Sequence, residues 1–168
     1  MIDELPEGWS LMRLTDLAAD EPNALTDGPF GSHLKTADYV ANGEVRVIRL
    51  GNIGVGKFVD KDRSFVSREK FEGLRKHEAR SGDLVIAALA EPVGRSMIVP
   101  EFVGPAMVKA DCVRLRVSRL HDTNYVMHAL NSPQGLRRAE ATGHGIGRLR
   151  INLGEMLSLI HISEPTRL

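Results

Sequence analysis

The segment with the sharpest chemical spacing is Gly51-Asn52-Ile53-Gly54-Val55-Gly56-Lys57. Its glycines and lysine stand as they do in a phosphate-binding loop, and an apolar run from Val45 to Leu50 precedes it. Such a loop needs Ser or Thr at the next position to hold magnesium, and then a helix whose N-terminal amides cradle the phosphates. Phe58 stands there instead, and Phe58-Val59-Asp60 reads as extended chain before a Lys61-Asp62-Arg63 turn. Glycine in this setting serves turn geometry, so residues 51–57 are read as a glycine-rich hairpin with Lys57 to Val59 as the return strand. A nucleotide-binding enzyme with a degenerate loop at 51–57 is retained only as a rival.

A second glycine-rich stretch, Gly143-His144-Gly145-Ile146-Gly147-Arg148-Leu149-Arg150, follows a helical pattern and is therefore not a dinucleotide fingerprint. Its His144, Arg148 and Arg150 either approach phosphates and base edges, where arginine bonds guanine bidentately, or meet only water in a loop between helices. His33, His77, His121, His128, His144 and His161 show no ligand spacing, so no metal is expected. Cys112 opens an apolar strand with no histidine in local reach, which reads as a buried structural thiol. No serine sits in a nucleophile-elbow pattern, and neither an amino-methyltransferase motif nor a cofactor-binding glycine pattern is present. Nothing in the sequence assembles a catalytic site.

The elements that must position these residues read as follows. Trp9 to Leu14, Val45 to Leu50, Leu84 to Ala90, Arg95 to Val99 and Cys112 to Val117 are strands by alternation or apolar run. Asp20 to Ser32, rich in proline and glycine, is a loop. Ser67 caps a helix to about Lys76, Asp122 or Thr123 caps one through Leu130, and Ser132-Pro133 starts another that ends near Thr142-Gly143. Irregular strands followed by helices predict an α+β domain, with a curved, mainly antiparallel sheet and flanking helices.

A chain of 168 residues is enough for one domain with a real core, and 42% hydrophobic with 26% charged residues argues against disorder. A single cysteine excludes an internal disulfide and, with an acidic start and no apolar leader, points to a cytoplasmic protein; no apolar run suits a membrane. Net charge is zero, but it is segmental. Residues 1–44 carry nine acids and two bases, 45–80 carry ten bases and five acids, and 109–150 carry eight bases and three acids. Clustered Lys and Arg, rather than a high pI, are what displaces counterions from a nucleic acid. Solvated faces, or basic faces that bind an acidic protein partner, remain the alternatives.

Several segments, taken in order, resemble the target-recognition domains of type I restriction–modification specificity subunits. They are Leu5-Pro6-Glu7-Gly8-Trp9, the loop from Asp27 to Lys35 with Tyr39 and Gly43, Val47-Ile48-Arg49 with Asn52-Ile53, Gly82 to Ile86, Val93-Gly94-Arg95, and Gly145 to Leu153. The likeness covers about residues 5–156. It implies a non-catalytic role: such subunits carry two recognition domains, each reading half of a bipartite double-stranded DNA site, spaced by helices. They dock modification (methyltransferase) subunits, which hold S-adenosylmethionine, and the complex recruits the restriction (nuclease–translocase) subunit. No cofactor is expected on this chain.

The resemblance makes residues 1–156 the recognition domain. A specificity subunit would continue into a spacer helix, whereas Leu157 to Arg167 resembles the translation of a sequencing-library adapter, so 157–168 is expected to be a non-native tail. DNA contacts are expected from His33 and Lys35 in the first loop, Lys57 in the hairpin, Arg95 after the central strand, and His144, Arg148 and Arg150 in the exit loop.

Overall fold

The computed structural model describes residues 5–146, 148–157 and 160–163. Gly147 of the exit loop, and residues 158–159 and 164–168 of the expected tail, lie outside the described residues.

In chain order the elements are β1 (Ser10–Arg13), α1 (Leu14–Leu17), β2 (Leu25–Thr26), β3 (Tyr39–Val40), β4 (Val45–Ile48), β5 (Ser64–Val66), α2 (Arg68–Glu72), β6 (Glu78–Ala79), β7 (Leu84–Ala87), β8 (Ser96–Ile98), β9 (Ala106–Val108), β10 (Cys112–Leu115), α3 (Thr123–Asn131), α4 (Pro133–Thr142), α5 (Leu153–Leu157) and β11 (Ile160–Ser163). The α+β expectation holds, with its strands divided among three sheets: β2-β10-β7-β8, β3-β5-β4-β9-β6 and the pair β1-β11. Every pairing is antiparallel except β4 with β9. Backbone of residues 160–163, within the expected tail, pairs with β1.

Alternation explains why β7 and β10 are buried along their whole length. Leu84 and Ile86 of β7, with Val113 and Leu115 of β10, pack against Leu14, Val126, Leu130 and Ala139 from the helices. The opposite face, through Val85, Ala87 and Cys112, meets Ile48 of β4 and Val108 of β9. The far face of the five-stranded sheet buries Val45, Val47 and Met107 against Phe71 of α2. The molecule is thus layered as helices, sheet, sheet and a short helix, and a strand in either main sheet has two apolar faces to fill.

Helix starts follow their caps. Asp122 accepts from the N–H groups of Asn124 and Tyr125 at 2.8 and 3.2 Å, and Ser132 accepts from Gly135 at 3.0 Å with Pro133 in the first turn. Ser67 caps α2 through Lys70, but that helix stops at Gly73 and the chain tightens into a 3₁₀ turn, Arg75–His77. The hairpin expectation is corrected: β4 pairs with β5, and Lys57 to Val59 form no return strand beside it. The glycine segment closes locally, with Gly54 N–H donating to the Lys57 carbonyl at 2.9 Å and an isolated bridge between Ile53 and Phe58. No helix follows Lys57, so the segment lacks the helix N-terminus of a phosphate-binding loop.

Candidate nucleic-acid interface

The parallel pairing of β4 and β9 sends both following turns to the same end of the sheets. After β4 the chain makes a 3₁₀ turn, Leu50–Asn52. After β9 it makes a turn through Lys109, Ala110 and Asp111, fixed by Lys109 N–H to the Ile48 carbonyl at 2.9 Å and by Ala88 N–H to the Asp111 carbonyl at 2.9 Å. The extension of β7 bonds the exit loop, with Ala90 N–H donating to Leu149 at 3.2 Å and Ile151 N–H to Ala88 at 2.8 Å. Between these turns lies a cleft of about 440 Å³, lined by Arg49, Lys109 and Arg148, by Asp62 and Asp111, and by Leu50, Gly51, Asn52, Leu89 and Ala110.

The first signature loop closes one flank. Gly28 lies so close to the Lys109 backbone that a Cβ there would fall 2.1 Å from its carbonyl atoms, which explains glycine at that position. Phe30, 41% exposed, carries the Arg150 guanidinium over its ring at 5.6 Å. Arg150 also pairs with Asp111 at 2.7 Å. Lys109 Nζ lies 5.5 Å from the Tyr39 ring centre, and the Lys61 stem passes beside Gly51.

Five cations (Arg49, Lys61, Lys109, Arg148 and Arg150) thus stand in or beside the cleft against two carboxylates, Asp62 and Asp111. Asp62, Ala90 and Asp111 hold positive φ angles of 46°, 65° and 66°. Left-handed backbone outside glycine is uncommon and persists where surrounding contacts impose it; among the described residues three of the four such positions lie at or beside this cleft and the fourth, Asn23, lines another. Guanidinium groups here can clamp phosphate or donate in pairs to purine acceptors. Acid–base or nucleophilic chemistry has no such support. Cys112 is fully buried and burial pushes its thiol up to about 12. Among the described residues no group of three or more His, Cys, Asp and Glu is placed to hold a metal ion, and no helix is long and apolar enough to cross a membrane.

The seven residues expected at the interface are not all brought together. Arg148 lines the cleft and Arg150 stands at its rim. His144 starts the same loop, where its backbone exchanges two 2.8 Å hydrogen bonds with Arg150 and its ring bonds Glu155. His33 is exposed in a separate cleft with Asp38 and Lys70, and Lys35 is exposed nearby on the same loop. Lys57 is exposed in a turn that docks on Ser96 through Gly56.

Arg95 is a correction. It is 8% exposed and donates to the carbonyls of Ile53, Ala90, Pro92 and Leu50 at 2.7 to 3.2 Å, so its fork ties the glycine segment to the turn after β7. The basic blocks hold internal arginines of their own. Arg46 lies among the rings of Phe58, Phe65 and Phe102 and pairs with Asp60 at 2.9 Å. Arg114, 2% exposed, is pushed down to about 10 by burial and by Arg116. Arg49, Lys109, Asp62 and Asp111 were not singled out from the sequence. Only Arg49 carried a local signal, its place beside the glycine-rich segment, since pairing alone decides which turns converge.

No protein-family model matches the sequence, and no curated protein matches it. Solved structures do. A chain from a type I R-M system, solved for its complex assembly and conformational transition, is 16% identical with a TM-score of 0.63, covering 96% of this chain and 35% of that one. The HsdS subunit from Thermoanaerobacter tengcongensis is 17% identical with a TM-score of 0.61, covering 97% and 35%. The type I restriction-modification system S subunit from M. genitalium is 14% identical with a TM-score of 0.56, covering 95% and 36%. The chain therefore spans about a third of the length of the structures it matches. Its fold is that of the HsdS, or S, subunits of type I restriction–modification systems.

Proposed function

We propose that this chain binds double-stranded DNA at the Arg49–Lys109–Arg148 cleft and reads one half of a bipartite site as the non-catalytic specificity element of a type I restriction–modification complex. The observation that carries this reading is the convergence of five cations in or beside one cleft whose described lining holds two carboxylates, one of them already paired with Arg150. The fold shared with S subunits supports it. Phosphate contacts come from Lys109 and Arg150 at the cleft and from the exposed His33, Lys35, Lys57 and His144 outside it, while Arg49 and Arg148 reach into the groove. Residues 1–156 form the recognition unit, in the cytoplasm. Modification (methyltransferase) subunits and the restriction (nuclease–translocase) subunit are its partners, and S-adenosylmethionine belongs to the former.

Fluorescence anisotropy with a labelled duplex over a salt series tests this. Each phosphate-contacting cation removed lowers the slope of log K against log salt by about 0.9. Lys109→Ala therefore weakens binding uniformly across sequences and reduces that slope. Arg148→Ala weakens binding and relaxes preference at one position by roughly 5- to 100-fold. Binding that ignores salt, or that both variants leave unchanged, contradicts the proposal.

A further inference from the structure

The cleft holds one group that a surface made only for phosphate would exclude. Asp62 lines it together with Arg49, Lys109 and Arg148. The nearby carboxylates are all neutralised: Asp111 by Arg150 at 2.7 Å, and Asp60 by Arg46 and Arg63 at 2.9 and 2.7 Å. Among the described residues the Asp62 carboxylate has no hydrogen-bond or ion-pair partner.

Its place is fixed by the interior of the protein. Asn52, 1% exposed, accepts from the Arg49 N–H at 2.9 Å and donates to the carbonyls of Val59 and Lys61 at 2.9 and 2.8 Å. The Ser64 hydroxyl donates to the Asp62 carbonyl at 3.2 Å, and the Asp62 backbone is left-handed with φ of 46°. One buried amide thus sets both the Arg49 turn and the Asp62 turn, holding a two-pronged donor and an acceptor on the same cleft. An unpaired carboxylate repels phosphate oxygens. It does accept hydrogen bonds from the exocyclic amines that cytosine and adenine present in the major groove, while guanidinium groups match the N7 and O6 acceptors of guanine. Donors and an acceptor held together complement base edges, which carry both signs, and not the sugar–phosphate backbone, which carries one.

We infer that Asp62 is a specificity-determining residue, accepting a hydrogen bond from the exocyclic amine of a base whose edge enters the cleft. The inference deepens the duplex-binding proposal and rests on it. Selection from a randomised duplex library with the full chain, repeated with Asp62→Gly, tests it. Glycine tolerates the left-handed backbone, so this variant removes the carboxylate without straining the turn; an unchanged melting curve checks that it folds.

The parent chain is expected to enrich a motif with cytosine or adenine at one position, the base found there telling the two amines apart. Asp62→Gly is expected to lose that preference by roughly 5- to 100-fold and keep the others. The inference is overturned if Asp62→Gly enriches the same motif and binds every duplex more tightly, as removal of a repulsive charge would do. Failure of the parent chain to bind any duplex overturns the DNA-binding proposal first, and this inference with it.

Discussion

Arg95 and Arg148 carry the same guanidinium to opposite environments, and the difference decides what each can do. Arg95 spends its fork on four backbone carbonyls inside the fold, whereas Arg148 is exposed at the cleft. Arg95→Ala leaves buried carbonyls without a donor. It is expected to cost on the order of 3 kcal/mol, a fall of roughly 6 to 12 °C in Tm by calorimetry. Arg95→Lys does not restore this, because an ammonium is a point donor without the planar fork. His77 gives a second prediction at this scale. Burial pushes its imidazole below the ordinary 6.5, against the Asp27 carbonyl it bonds at 2.5 Å. The unfolded chain takes up the proton first as pH falls, so this stability is whole above 6.5 and is lost as pH drops through 6.5 toward the lower folded value. Urea midpoints at about pH 7.5 and about pH 5.5 should therefore differ less in His77→Phe than in the parent chain. Composition reads Arg46 and Arg114 as part of the basic blocks, and Arg95 was expected at the interface, yet the fold shows all three buried. A count of charges cannot separate an arginine that plugs the gap between two sheets from one that faces solvent.

The exit loop shows how an element that presents charge is anchored at its ends. Its base is closed by the paired bonds between His144 and Arg150, and its far side by Asn152 and Glu155, whose side chains bond each other's N–H groups at 2.9 and 3.0 Å ahead of α5. Gly145 holds φ of 119°, and a Cβ there would fall 2.7 Å from the Arg148 carbonyl. Gly145→Ala should therefore shift the loop and displace Arg148. Duplex affinity should fall severalfold while the urea midpoint changes little, because Gly145 itself is exposed and belongs to no core cluster. Much at this scale was legible: the caps Ser67, Asp122 and Ser132 all function, and the apolar runs at Val45 and Leu84 are strands. The partner of each strand was not. Local alternation says which face a residue takes and nothing about which strand lies beside it, so the β4–β9 pairing that creates the cleft had no local signal.

On the scale of the whole molecule, β10 spans between two charged ends. At one lies the cleft of Lys109 and Asp111; at the other Arg114 and Arg116 line a second cleft, where Glu21 pairs with Arg116 and Glu78 with Arg80. That second cleft is lined by Arg75, Lys76, Arg80, Arg114 and Arg116 against Glu21 and Glu78, but Arg114 is buried and Arg75, Arg80 and Arg116 are each ion-paired, so the proposal takes the first end as the one that meets DNA. No residue of 157–168 is among the described residues that line the cleft, so on this account a chain ending at Met156 should bind a duplex with unchanged affinity. Its Tm should fall by no more than the loss of the β1–β11 pairing entails. Amide hydrogen exchange of the full chain, with and without a duplex at low salt, tests the central claim most directly. Protection is predicted over Leu50–Asn52, around Asp62, over Lys109 to Asp111 and over Arg148 to Arg150. Protection confined to the opposite end, around Asn23, Glu78 and Arg116, or no protection at all, would contradict it.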